Sequence, residues 1–179
     1  MPTIVHGFDW PDRVIVGTIG EPGERAFYLQ AREGRRVVSV LLEKEQSALL
    51  AQKIGEILDE LMAAQGNPYS VPAQAPGELV DTEPLEPVDE QFRTSALGLG
   101  WDESTAQVIV QAYSSEEVDD EDDDDAGEAE EIVRVRMPVG TARAFVQSTL
   151  AVVNAGRPPC PRCGRPLDSD HVCEGPGLL

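Results

Sequence analysis

Much of what this chain can do is limited by what it lacks. It has two histidines, His6 and His171, too few to make a histidine-based nucleophile and base an attractive reading. It has no G-x-S-x-G elbow, no phosphate-binding loop and no dinucleotide fingerprint. Basic residues number 14 against 33 acidic ones, for a formal charge of −19. Such a body repels phosphates, so nucleic acid is an unlikely partner on charge alone. The longest apolar run, Val37 to Leu42, is interrupted by Ser39 and is far too short to cross a bilayer. The opening MPTIVHGFDWPD lacks the basic and apolar regions of a signal peptide. The expectation is therefore a cytoplasmic protein with no membrane contact, whose thiols stay reduced.

What is present reads as one stretch written twice. Leu29-Gln30-Ala31 matches Val110-Gln111-Ala112 at an offset of 81, which also sets Gly17 on Gly98. Val38 to Leu42 matches Val133 to Met137 at an offset of 95, and Leu50 and Leu58 fall on Phe145 and Val153. The two offsets differ by 14, about the length of an acidic tract in the second copy. A period this long points to two fused copies of one supersecondary unit, since a solenoid needs several shorter ones.

Each copy reads as three strands and a helix. In the first, strands are predicted at Arg13 to Ile19, Ala26 to Arg32 and Val37 to Leu42, after an extended lead-in. A helix follows from about Glu45 to Ala64, with Leu50, Ile54, Ile57, Leu58 and Leu61 as its apolar stripe. Gly55 within it suggests a close backbone contact. In the second, strands are predicted near Phe92 to Leu99, Ala106 to Tyr113 and Ile132 to Met137, then a helix from about Thr141 to Val153, with Thr141 as its cap. The predicted fold is α+β: two tandem βββα repeats forming an antiparallel sheet with both helices on one face. The repeats occupy about 12–65 and 92–155, within a domain of residues 1–155. Residues 66–91, rich in proline and acid, are an irregular connector. Residues 114–131 form a hairpin loop holding twelve acidic residues; without these the rest carries about −7. They lack the ligand spacing of a calcium loop.

Alternation along the strands separates two faces. Val38, Val40 and Leu42, with Val133, Val135 and Met137, belong beneath the helices. The opposite face carries Tyr28, Gln30, Ser39, Gln111, Tyr113, Arg134 and Arg136. In a continuous sheet, Gln30 and Gln111 are expected about a pseudo-two-fold axis. A surface of this composition suits a partner strand, a peptide or a small polar ligand, though many antiparallel sheets simply leave one face to solvent.

The tail, 156–179, contains PPCPRCGRPLDSDHVC. Cys160 and Cys163 form a tight C-P-R-C-G turn, and His171 and Cys173 lie two apart, so both project to one side of an extended segment. This Cys3His set suits a closed tetrahedral site for structural zinc. A redox C-x-x-C would sit at a helix N-terminus in a thioredoxin-like unit, and none is visible.

With these residues in view, the chain resembles the DUF3090 family. The resemblance rests on PDRVIVGTIGEPGERAFYLQAREGRRVVSVLLEKEQ, FRTSALGLGWD, ARAF and AGRPPCPRCGRPLDSDHVC, and covers nearly the whole chain. It implies an actinobacterial origin and the C-x-x-C and H-x-C pattern of the tail; the long aspartate run departs from it. It implies no activity. The leading expectation is a non-enzymatic, zinc-stabilised adaptor with a protein partner. The alternatives are a small-ligand sensor, or an enzyme using the polar sheet face between the repeats. Oligomeric state is not legible.

Overall fold

A computed structural model describes residues 3–21, 24–114 and 130–155. The acidic tract from 115 to 129 and the tail from 156 onward, with all four expected zinc ligands, lie outside the described residues.

Alternating apolar residues build a first meander of β2 (Arg13–Ile19), β3 (Ala26–Glu33) and β4 (Arg36–Leu42), followed by α1 (Lys44–Ala63). The β3–β4 turn relies on Gly34, whose φ of 62° suits glycine. A second meander comprises β5 (Glu90–Asp102), β6 (Gln107–Ser114) and β7 (Glu131–Pro138), followed by α2 (Val139–Asn154). Gln46 begins α1 by accepting the Glu43 N–H at 2.8 Å. Nothing comparable caps α2, which starts two residues before Thr141, the expected cap, and has Pro138 at its boundary.

The lead-in also contains a strand, β1 (Ile4–Phe8), beside β7. The seven strands run in the order β1-β7-β6-β5-β4-β3-β2. The sheet is mixed rather than antiparallel, because β1 pairs with β7, and β4 with β5, in parallel. The second join has a topological cause. Helix α1 and the connector return the chain to the end where β4 began, so β5 runs alongside it in the same direction. Both meanders therefore run the same way across the sheet, with β3 and β6 pointing in the same direction.

The sheet is strongly curled. Only residues 9–12 link β1 on one edge to β2 on the other. That segment spans at most roughly 17 Å, whereas a flat sheet of seven strands would part its edges by about 29 Å. Across the concave side the Arg36 guanidinium lies 4.1 Å from the centre of the Phe8 ring, though four strand spacings separate β1 from β4.

The concave, inner face holds the core. Phe8, Val16, Leu29, Val40, Val110 and Val135 meet Leu50, Ile54 and Leu58 of α1 and Phe145 of α2. Each fully buried aliphatic side chain here contributes roughly 1.5–3 kcal/mol. The close backbone contact expected at Gly55 is not found: a Cβ there would lie 3.9 Å from Val146 Cγ1, an ordinary contact with a side chain of α2.

The connector is the feature that shapes the outer face. Its Val71 joins the core, and the Arg143 side chain of α2 donates to the Pro72 carbonyl at 2.8 Å. Leu79 then packs at Gly140. Asp81 meets Arg13 at the start of edge strand β2 (2.6 Å), and the carbonyls of Glu83 and Pro84 accept from the same guanidinium. From there the chain crosses onto the outer face and enters β5. It works as a strap, fastened at Arg13 and laid over the outer face of the first meander.

Candidate functional site on the outer sheet face

Of the seven residues expected on the binding face, the strap removes two from the open surface. Gln30 and Ser39 are buried, at 2% and 1% exposure. The Gln30 amide nitrogen donates to Ser39 Oγ and to the Glu86 carbonyl, both at 3.0 Å, and its oxygen accepts the Glu86 N–H at 2.9 Å. Beside it, Leu85 lies over Gly17, where a Cβ would come within 2.5 Å of Leu85 Cγ. Glu86 completes the seat through an ion pair with Arg32 at 2.6 Å. Tyr28 is half-buried and donates to Glu90 at 3.1 Å; burial, then the Glu90 hydrogen bond, raise its pKa. Gln30 holds the strap's backbone and Ser39 supports Gln30, so these two do not share an open surface with the later residues as expected.

The later four do form an open patch. Directly opposed pairs put Gln111 beside Arg134 and Ile109 beside Arg136 on β6 and β7. In the first meander the corresponding opposed pairs are Gln30 with Ser39 and Tyr28 with Leu41. The matching glycine is Gly100, which faces Ile109 as Gly17 faces Tyr28. Gly98, which sequence spacing set against Gly17, faces Gln111 instead. Among the described residues no strap lies above Gly100: the nearest atom to an added Cβ is Ile109 Cβ at 3.8 Å.

The two arginines differ in how they are used. Arg136 is committed to Asp102 (2.7 Å) and Asp9 (3.5 Å). Ser104 and then Arg136 hold the Asp102 carboxyl well below its ordinary pKa. Among the described residues Arg134 makes no ion pair, and its buried Nε has no hydrogen-bond partner. An arginine Nε in that state carries a desolvation cost that a bound acceptor would relieve. Tyr113 donates to Gln111 Oε1 at 2.7 Å, so the patch satisfies part of its amide from within. The arrangement offers hydrogen bonds and one uncommitted cation, with no nucleophile and base in contact.

A family model described as a protein of unknown function (DUF3090) matches residues 6–173. The chain belongs to the DUF3090 family. No curated protein and no solved structure matches it. The DUF3090 match takes in both meanders, the strap and the cysteine-bearing tail as far as Cys173.

Sequence reasoning missed a second feature of this DUF3090 chain, a cleft between β2 and α2. Arg13, Val14, Asp81, Thr141, Phe145 and Ser148 line it, and Ser148 Oγ is buried without a partner. Its residues come from strand, strap and helix, so no local spacing could announce it. His6 bonds Glu131 at 3.1 Å. Among the described residues no group of three or more His, Cys, Asp or Glu is placed to hold a metal. No described helix is long and apolar enough to cross a membrane.

Proposed function

We propose that this protein is a non-catalytic docking module whose working surface is the outer face of the second meander: Gln111, Tyr113 and Arg134 above Gly100. The observation that carries the reading is the contrast between two similar surfaces. On the first, the chain's own strap occupies the glycine dent and the glutamine amide. On the second, no described residue fills the dent, and a partly buried arginine lacks an acceptor among the described residues. The test is stoichiometric co-purification of one protein partner with the full chain from its native cells. The partner is lost with Arg134→Glu or Gln111→Ala and kept with Arg93→Glu, a change on exposed β5 away from the patch. Retention of the partner by all three variants counts against this surface.

Two proposals support it. The meanders are two descendants of one module, a reading favoured by their shared element order, their opposed pairs, and helix positions buried alike at Leu50 and Phe145 and at Leu58 and Val153. The tail holds one structural zinc through Cys160, Cys163, His171 and Cys173, a donor set and spacing suited to that ion. Such binding supplies about 10–16 kcal/mol of apparent free energy, enough to order a short tail without its own core.

The cleft between β2 and α2 favours a second reading, a small-ligand sensor, because it lies between the two meanders and contains the unpartnered Ser148 hydroxyl. A metabolite that raises the melting temperature of the wild type but not of Ser148→Val supports it; no stabilising compound in a broad library counts against it.

A further inference from the structure

Taking the docking reading as its basis, the geometry points to the occupant: an extended partner segment in which an apolar residue precedes an acidic one, seated on the second meander much as the strap sits on the first. The strap shows what such a face accepts. Leu85 fills the space over a strand glycine, and the next residue, Glu86, is held at both its N–H and its C=O by one glutamine side chain. Its carboxylate then meets an arginine at 2.6 Å.

Each of these elements has a counterpart on the open face. Gly100 supplies the dent, and Gln111 supplies the amide. The cation has moved: Tyr113 occupies the register position of Arg32, while Arg134 stands directly opposite Gln111, where the first meander has Ser39. An acidic residue over Gln111 thus finds its cation on the other neighbouring strand, and it gives the buried Arg134 Nε an acceptor. Tyr113 OH donates to Gln111 Oε1 as the Glu86 N–H donates to Gln30 Oε1, so an incoming main chain replaces a hydrogen bond already present. Main-chain contacts give such a segment its affinity, and the dent and cation give it selectivity.

The probe is a synthetic peptide copying residues 82–89, TEPLEPVD, titrated into the full-length protein and followed by backbone amide NMR. The expected result is saturable shifts centred on Ile109, Gln111 and Arg134. Gly100→Ala, which has room for its methyl group, should weaken binding about tenfold while leaving the remaining spectrum unchanged. Arg134→Ala should act similarly, and replacing the peptide's central glutamate by glutamine should weaken it on the wild type but not on Arg134→Ala. Absence of shifts, or shifts insensitive to both protein variants, overturns this occupant. A partner whose co-purification depends on Arg134 but which contains no such segment overturns it too, while leaving the docking surface standing.

Discussion

Gln30 grips the backbone of Glu86 from both sides, donating to its carbonyl at 3.0 Å and accepting its N–H at 2.9 Å. One buried side chain thus fixes a proline-rich segment that makes few regular hydrogen bonds of its own. Gln30→Ala leaves both Glu86 groups and Ser39 Oγ without this partner. A loss of about 2–4 kcal/mol is expected in urea unfolding. Hydrogen exchange at residues 83–88 should quicken more than exchange in β6.

Gly17 and Gly100 hold similar register positions but should respond oppositely to a methyl group. At Gly17 the methyl meets Leu85 at 2.5 Å; at Gly100 its nearest neighbour is 3.8 Å away. Gly17→Ala should cost about 1–3 kcal/mol, whereas Gly100→Ala should change stability by less than about 0.5 kcal/mol. Adding Leu85→Ala to Gly17→Ala should recover part of the loss. A double-mutant cycle in urea measures that coupling.

The strap is also fastened by a titratable pair. The Arg13 hydrogen bond holds the Asp81 carboxyl below its ordinary pKa, and Asp81 raises that of Arg13. A carboxyl whose pKa is depressed by folding stabilises the native state fully above its unfolded value. That contribution disappears as pH falls through the lower, folded value. Asp81→Asn should therefore be destabilising at pH 7, and the gap from wild type should narrow progressively below about pH 4. Unfolding curves at several pH values for both proteins give the comparison.

Zinc in the tail should be independent of the sheet. Native mass spectrometry should find one ion per chain, lost with Cys163→Ala. The urea midpoint followed by tryptophan fluorescence should move little, because the described core draws its apolar residues from the two meanders, β1, the helices and the strap. Metal-free wild-type protein prepared without chelators would contradict the site.

The strands were legible because their alternation is regular. Phe27, Leu29 and Ala31 point inward, Tyr28, Gln30 and Arg32 outward, and β2 begins and ends at its expected residues, Arg13 and Ile19. Alternation assigns a face but not a neighbour's direction, so the parallel joins at β4–β5 and β1–β7 were not legible. In β1 only Phe8 is buried; Ile4 and Val5 remain exposed, so no amphipathic pattern marks the strand. The strap was harder still, since its hold depends on Leu85 and Glu86 meeting residues more than fifty positions earlier. Gly17 inside β2 was the available signal, because a glycine in a strand often marks a close approach by another segment. Arg134 and Arg136 looked equivalent in sequence. Only the positions of Asp9 and Asp102 show that one is committed and the other is not.

The most direct measurement places a photo-crosslinking amino acid at Ile109 or, separately, at Tyr28, in full-length protein made in its native cells. Tyr28 should attach to the chain's own strap near Leu85. Ile109 should yield one dominant conjugate with a second protein, abolished by Arg134→Glu. Attachment of Ile109 only to its own chain, or a conjugate indifferent to Arg134, would contradict a docking face on the second meander.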